Sequence, residues 1–425
     1  MVFFFFVMFG TGYGRLGHAP RTPWWLSGSS LDMDFAKNRA RQAGRFYAPS
    51  ALLTTTRASD AYSDDTAGRW SLFASGAPRI TDKGLLVEEA RTNSIRNNSM
   101  QGAVAGTPGT LPTNWGLNGT ANGLTREIVG VGTENGVDYI DVRWFGTASA
   151  QIDIAIRPEA TTTQVAAASG QSWTASAFFK LVTGANPFSI TNFYVLGINS
   201  GGSATADTAV TSVTLNGTLT RRSVSITMAD ATTAAALFTT IFRIPNGTVC
   251  DFTLRIGWPQ LELGGFVTSP IRTTSAAATR AADVVNLTTT PGYTDTYTSF
   301  IDATLSELSA TRNILAGTTS QRLAYATTGG GAGGGLVFNG TASITATAGT
   351  GTWLTGGRLA FGVSAAGRSV SFNNGPIATD ANTQSFPTTL YIGGSAGAPN
   401  GAILTRRLAL GSTRLPDAQL QAITQ

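Results

Sequence analysis

Apolar and polar residues alternate one by one over many short stretches of this chain, which is the period of a strand with one buried face. In the middle of the chain, turn-forming residues separate these stretches at regular intervals. The predicted strands of this part are 137–145, 151–157, 172–181, 188–198, 213–219, 221–228, 238–244 and 249–257. Short strands at such regular spacing predict a β-sandwich of the jelly-roll type. The Asn-Gly pairs predict type I′ hairpin turns at Asn118, Asn216, Asn246 and Asn339.

A second group of alternating stretches begins near residue 297 and predicts a second β-sandwich. Its predicted strands are 300–303, 322–326, 335–338, 342–348, 358–363, 370–373, 389–392 and 405–410. A short terminal helix is predicted to start at Leu415-Pro416-Asp417. Proline suits the first turn of a helix, and an aspartate there interacts favourably with the helix dipole.

The rest of the chain lacks a sustained period. Residues 20–95 carry short apolar clusters, and 58–84 resembles short strands around turns, so contacts with other subunits are expected to stabilise this region. Between the two sandwiches, Pro259 interrupts a strand and Gly264-Gly265 forms a turn. The segment that follows, up to Val285, is rich in Ser, Thr and Ala, and we call it the strap. It has too few bulky apolar residues to form a core of its own, so it must run across another surface. The predicted division is an anchoring segment at 1–50, a short β or linker region at 51–96, and jelly rolls at 97–285 and 286–425.

Composition supports an all-β protein and excludes several kinds of chemistry. Charged residues make up 12% of the 425 residues, and the chain contains 50 glycines. The net charge of +5 comes mostly from scattered arginines, which does not indicate a nucleic-acid surface. The single cysteine and single histidine exclude an intramolecular disulfide and a His/Cys zinc cluster. Neither a metal nor a cofactor is expected.

The chain begins with a strongly apolar stretch, MVFFFFVMF. It is shorter than the roughly 20 residues that a membrane span needs, and it lacks the features of a secretory signal, so we expect no membrane insertion. We expect burial against other chains of a larger assembly, although burial within its own domain is the alternative. The predicted anchoring residues are Phe3, Phe4, Phe5, Phe6, Phe9, Trp24 and Trp25.

Four segments of the sequence form a recognisable set: LDMDFA (31–36), TRAS (56–59), GLLVEEARTN (84–93) and PQLELG…TSPIRTT…TRAADV (259–284). As a set they resemble segments in virion proteins of tailed bacteriophages. In those proteins the last segment closes a jelly roll similar to carbohydrate-binding modules. The stretch 391–424, YIGG…NGAILTRRLALGSTRLPDAQLQAIT, resembles the end of concanavalin A-like or laminin-G-like jelly rolls.

This resemblance implies a tail fibre, a baseplate receptor-binding protein or a head spike, located on the virion. It implies a homotrimer that contacts other virion proteins through its N-terminus and adheres to host surface polysaccharide. Nucleic acid is not an expected partner. The alternatives are a purely structural fibre or capsid decoration protein and a capsule depolymerase.

Sugar binding needs aromatic faces and fixed polar groups. Tyr139, Asp141 and Arg143 share one face of a predicted strand, and Trp115 lies in a loop-like segment. These four are the candidate carbohydrate-binding residues. An ordinary solvated or intersubunit strand face, and a tryptophan that caps the edge of the sandwich, are the structural alternatives.

No catalytic residues are predicted. His18, the one possible imidazole base, lies in the N-terminal connector. A retaining glycosidase needs two carboxyl groups about 5 Å apart, but the nearest acidic pairs along the strands diverge. In the strap, Arg272, Arg280 and Asp283 are expected to pair across subunits or to lie in solvent.

Overall fold

The computed structural model describes residues 26, 28–118, 121–308, 310–317, 321–327, 334–395, 399 and 401–425. Within them the chain is nearly all strand and connecting loop, which confirms the predicted all-β class with β-sandwich domains. In this described part no helix is long and apolar enough to cross a bilayer. The predicted anchoring residues lie outside it: Phe3, Phe4, Phe5, Phe6, Phe9, Trp24 and Trp25.

The segment before the first predicted sandwich forms short strands and one 3-10 turn at Pro49–Leu52. The strands are β1 (Leu31–Asp34), β2 (Arg39–Gln42), β3 (Arg45–Tyr47), β4 (Leu53–Thr56), β5 (Ala61–Asp64), β6 (Trp70–Phe73), β7 (Arg79–Thr81), β8 (Gly84–Glu88) and β9 (Arg91–Asn93). β5 and β6 pair as a separate hairpin.

The next strands form the first sandwich. They are β10 (Gly116–Asn118), β11 (Leu124–Glu134), β12 (Val137–Thr147), β13 (Ile152–Arg157), β14 (Ser172–Thr183), β15 (Ile190–Asn199), β16 (Ala204–Ser212), β17 (Thr220–Thr227), β18 (Thr233–Ile244) and β19 (Val249–Leu263). One sheet has the order β10-β13-β18-β15-β16, and the other has β11-β12-β19-β14-β17. Aromatic side chains such as Phe179, Phe242 and Phe252 fill the space between the two sheets.

The remaining strands begin within the strap and continue beyond it. They are β20 (Ala278–Arg280), β21 (Val284–Leu287), β22 (Tyr297–Leu305), β23 (Arg312–Ala316), β24 (Arg322–Ala326), β25 (Gly334–Phe338), β26 (Ser343–Thr347), β27 (Gly357–Ser364), β28 (Gly367–Phe372), β29 (Ala378–Asp380), β30 (Tyr391–Ile392) and β31 (Ala402–Gly411). The predicted terminal helix is present as α1 (Asp417–Ala422).

The second sandwich takes strands from both ends of the described chain. One sheet has the order β29-β28-β27-β22-β31-β1-β2-β3, with β8 also on β31; the other has β26-β25-β24-β23-β30-β21-β4. Met33 lies opposite Leu408, and Leu31, Met33, Leu85 and Val87 are buried in this core. The structure therefore differs from the predicted division, because strands from 28–96 complete the second sandwich and the first is inserted between them. Strands this short cannot bury their apolar side chains without such partners.

Several predicted elements are corrected. No strand covers 213–219, which connects β16 to β17, and the sequence analysis missed β11 and β16. At Asn246-Gly247 only the glycine has a positive φ, of 77°, whereas a type I′ turn needs two. That requirement is met at Asn135-Gly136, with φ values of 52° and 82°, in the hairpin between β11 and β12. β19 also continues through Pro259, with an irregular pairing to β14 and a positive φ at Trp258.

Candidate functional site

The structure places Tyr139, Asp141 and Arg143 on the outer face of β12, as the alternation predicts. Asp141 lies opposite Arg255 of β19, whose guanidinium donates to its two carboxylate oxygens at 2.8 and 2.7 Å. The same guanidinium lies 3.4 Å from the centroid of the Tyr139 ring. One face of this ring is therefore covered by a side chain of the same sheet and is closed to a sugar.

Arg143 also has its partners within the sheet. It donates to both carboxylate oxygens of Asp251 at 2.7 Å each and to Glu127 at 3.0 Å. These hydrogen bonds, to Asp251 first and then to Glu127, raise the pKa of Arg143. Arg143, Glu127 and Asp251 line an open groove of about 470 Å³. The outer face of this sheet is thus a ladder of ion pairs whose charges largely compensate one another.

Trp115 lies in the core and not at a sugar-binding rim. Its side chain is buried, and its Nε1 donates to the carbonyl oxygen of Asn97 at 2.7 Å. A buried indole with its N–H satisfied offers no stacking face to a ligand. The structure therefore separates Trp115 from the three candidates on β12.

A pocket that the sequence analysis missed lies at one edge of the first sandwich, between β11 and β13. This edge pocket has a volume of about 420 Å³, within the roughly 300–1,000 Å³ typical of ligand sites. Its lining residues are Thr107, Pro108, Leu117, Ala121, Leu124, Thr125, Arg126, Trp144, Ile152, Asp153 and Ile154. Leu124, Trp144, Ile152 and Ile154 are buried and form an apolar floor. An apolar floor with a few polar groups at the rim is the usual composition of a binding site.

Arg126 is the cation of this pocket. It pairs directly with Trp144 across β11 and β12, so its side chain lies on the inner face with Leu124 and Ile128. It donates to the carbonyl oxygens of Pro108 and Gly109 at 3.2 and 3.3 Å, and it forms no ion pair with any described residue. Desolvation by burial lowers its pKa. The sequence signal was available: LTREI places an arginine where the alternation calls for an apolar residue.

The negative charge of Asp153, the carboxylate at the pocket, is already balanced by an ion pair with Arg243. Arg243 donates to its two oxygens at 2.7 Å each, and these hydrogen bonds lower the pKa of Asp153. The pKa of Asp251 is lowered in the same way by Arg143. A glycosidase general acid needs the opposite shift, a raised pKa that keeps it protonated. These carboxylates are therefore suited to structure more than to proton transfer.

A second cluster, which we call the junction cluster, lies where the two sandwiches meet. Its buried ionic residues are Arg57, Arg79, Glu88, Arg280 and Asp283. Arg57 donates to Asp283 at 2.8 Å, Arg79 bonds both Asp283 and Glu88, and Arg280 lies 3.0 Å from Glu88. Charges removed from water are tolerated only when partners replace the lost hydration, and here each has one.

The strap completes the junction cluster through Ser269. Its N–H and hydroxyl donate to Glu88 at 2.9 and 2.6 Å. Burial favours the neutral form of Glu88, but Arg280, Arg79 and the hydroxyl of Ser269 outweigh it and lower its pKa to about 2. Glu88 is therefore held as a carboxylate in the interior of the protein.

The junction cluster brings together residues from segments that lie far apart in the sequence. Arg57 comes from TRAS, Glu88 from GLLVEEARTN, Ser269 from TSPIRTT, and Arg280 and Asp283 from TRAADV. These segments meet in one buried network.

The expectation for the charges of the strap is corrected by the same geometry. Arg280 and Asp283 pair within the chain and not across subunits or in solvent. Arg272 donates to Asp138 of β12 at 2.7 Å. Arg272 therefore ties the strap to the first sandwich, and Arg280 and Asp283 tie it to the segment that precedes this sandwich.

No protein-family model and no curated protein matches the chain. Similar solved structures include carbohydrate-binding modules and phage tail or baseplate proteins. The CBM40 of Ruminococcus gnavus IT-sialidase bound to α2,3-sialyllactose is 19% identical, covers 32% of this chain and 85% of its own, and has a TM-score of 0.26.

Two of the similar structures come from bacteriophages. The tripod from the baseplate of bacteriophage Tuc2009 is 12% identical, covers 79% of this chain and 98% of its own, and has a TM-score of 0.29. The enzymatically active domain of tailspike protein 4 of bacteriophage CBA120 is 13% identical, covers 36% of this chain and 20% of its own, and has a TM-score of 0.24.

Proposed function

We propose that this chain is a virion protein of a tailed bacteriophage that adheres to host surface glycans through the edge pocket of its first sandwich. The observation that carries the glycan-binding part is the pocket itself, with the apolar floor of Trp144, Ile152 and Ile154 beneath the Arg126 guanidinium. The apolar C–H face of a sugar packs on such a floor, while its polar groups meet the rim.

The virion part of the proposal rests on the segments at 31–36, 56–59, 84–93 and 259–284, which resemble phage proteins. In this proposal the chain is a homotrimer and its N-terminal residues contact other virion proteins. Several copies on one particle then multiply a weak individual contact into firm adhesion. The protein is proposed to be an adhesin and not an enzyme, in keeping with the lowered pKa values of Asp153 and Asp251.

A purely structural role in a fibre or capsid is the second candidate, and a specific observation favours it. Arg143 and Asp141, which were predicted from the sequence to bind sugar, form ion pairs within their own sheet. Glu88, Arg280 and Asp283, which belong to the segments that resemble phage proteins, are likewise engaged in ion pairs of the junction cluster. An adhesin and a structural protein differ in one property, which is ligand binding by the edge pocket.

A glycan array probed with the full chain, displayed multivalently, tests the proposal. The matched variant is Ala121→Trp, which places a large ring at an exposed position of the pocket rim and leaves the core unchanged. Binding by the natural chain that is lost in Ala121→Trp supports adhesion through this pocket. Binding that persists in the variant refutes the site, and binding to no glycan favours the structural role.

A further inference from the structure

We propose that the edge pocket selects a sugar that bears a carboxylate, and that the Arg126 guanidinium binds this group. The inference rests on the proposed glycan-binding function and names the class of ligand for the same site. It follows from where Arg126 lies and from which of its neighbours are already paired.

Arg126 lies at a strand position where the alternation calls for an apolar residue. It occupies an inward-facing position between the apolar Leu124 and Ile128, opposite Trp144. A charged group at such a position loses hydration, and an apolar residue of similar size would satisfy the strand pattern without that loss. The placement is explained if a ligand supplies the missing anion.

Two hydrogen bonds hold the Arg126 guanidinium in place, and they leave some of its N–H donors without an acceptor. Its Nε and one terminal nitrogen donate to the carbonyl oxygens of Pro108 and Gly109. A guanidinium has five N–H donors in a planar fork, so donors remain for a further acceptor. Its planar geometry matches a carboxylate, and charge-assisted hydrogen bonds of this kind are among the strongest in proteins.

Asp153 at the pocket, and the arginines on the outer face of β12 and β19, already have charged partners. Arg243 engages the carboxylate of Asp153 with two hydrogen bonds, so the acid at the pocket does not repel an incoming anion. Arg143 and Arg255 are likewise bound by carboxylates of their own sheet. Arg126 is the arginine of the pocket lining, and it carries the uncompensated positive charge there.

Two kinds of acidic sugar fit this chemistry, and separate probes distinguish them. The probes are the methyl glycosides of glucuronic acid and of N-acetylneuraminic acid, each compared with its carboxyl-reduced form, titrated into the full chain by calorimetry at low ionic strength. At least one acid is expected to bind about tenfold more tightly than its reduced form, because its carboxylate gains charge-assisted hydrogen bonds. Added salt should weaken that preference.

Variants assign the preference to Arg126. Arg126→Gln should bind the acid and its reduced form equally, and Arg126→Lys should retain part of the preference because it keeps the charge. Arg69→Gln is the control, since it removes one arginine from an exposed ion pair on the β5–β6 hairpin. Circular dichroism verifies that each variant is folded, and the salt dependence of the natural chain tests the inference without any variant.

The outcomes separate this inference from the proposed function. If Ala121→Trp abolishes binding but acid and reduced forms bind alike, the pocket is a glycan site and the carboxylate inference is wrong. If Arg126→Gln keeps the preference, the carboxylate binds elsewhere and the inference is again wrong. If none of the probes binds, or Ala121→Trp binds as the natural chain does, the proposed site fails and the inference with it.

Discussion

Arg79 donates a hydrogen bond to Glu88 at 2.7 Å, and the two side chains are 0% and 3% exposed. Arg79 also bonds Asp283, which lies 204 positions further along the chain, just before the second sandwich resumes at β21. The contact between Arg79 and Asp283 therefore joins the segment before the first sandwich to the segment after it. We expect this buried contact to stabilise the region where the two sandwiches meet.

Replacing Glu88 by glutamine should destabilise the protein strongly. Arg79 and Arg280 would remain buried with one fewer negative charge, and breaking a buried ion pair in this way typically lowers the free energy of unfolding by about 3–5 kcal/mol. Chemical denaturation followed by tryptophan fluorescence measures the change. The control is Asp65→Asn in the exposed pair with Arg69, which should have a much smaller effect. Equal effects of the two variants would contradict a special role for the junction cluster.

The Glu88 carboxylate should make the free energy of unfolding depend on pH. The pKa of Glu88 is lowered from 4.5 to about 2 in the folded protein, so its contribution is complete above pH 4.5 and is lost as the pH falls towards 2. The loss should amount to roughly 3 kcal/mol, since one pKa unit corresponds to about 1.4 kcal/mol. Denaturation curves of the natural chain and Glu88→Gln over this range test it. Their stabilities should converge at low pH, and a constant difference would be the contrary result.

The two sandwiches should differ in their ability to fold alone. The first keeps its core between Ile95 and Leu261, so a fragment of residues 94–274 is expected to fold. A fragment of residues 286–425 lacks β1, β4 and β8 and should remain unfolded or aggregate, because it cannot complete its two sheets. Far-UV circular dichroism and two-dimensional NMR of both fragments measure this. A folded 286–425 fragment would show that the N-terminal strands are dispensable.

Replacing Arg255 by alanine tests the ion-pair ladder on β12. Asp141 would be left nearly buried without its partner, and we expect a destabilisation of about 2 kcal/mol, smaller than for a fully buried pair. Arg255→Lys should lie in between, since an ammonium cannot reproduce the two parallel hydrogen bonds. Lys83→Ala, in a more exposed pair with Asp64, is the control and should change stability by less than about 1 kcal/mol.

A variant on the outer face of β12 tests whether glycans bind there or in the edge pocket. Tyr139→Ala should leave glycan binding unchanged if the edge pocket is the binding site, because Tyr139 does not line that pocket and Arg255 covers one face of its ring. Glycan arrays probed with Tyr139→Ala and with Ala121→Trp measure the binding of each variant. Loss of binding in Tyr139→Ala with binding retained in Ala121→Trp would move the site to the outer face of β12.

The hydrophobic pattern predicted much of the fold. The alternation at 137–145 and 172–181 matches β12 and β14, and the inward set Ile140, Val142 and Trp144 is buried as expected. Side chains alternate strictly along a strand, so the pattern fixes which residues share a face. For the same reason Tyr139, Asp141 and Arg143 were correctly placed on one face.

The pattern could not say what those three residues contact. Arg255, the partner of Asp141, lies 114 positions away in sequence, and Asp251, the partner of Arg143, lies 108 positions away. A free polar face and a ladder of ion pairs have the same alternation. Only the order of the strands in the sheet distinguishes them.

The sequence by itself determined the all-β class, the two sandwiches and the faces of the long strands, because these follow from local alternation and turn residues. The tertiary structure decided that β1, β4 and β8 complete the second sandwich, that Glu88 and Asp283 share a buried arginine, and that Arg126 lies at an edge pocket. Each of these depends on which distant strands become neighbours, and that is set by the burial of the whole core. A four-residue strand such as LDMD carries too little apolar surface to specify its partner alone.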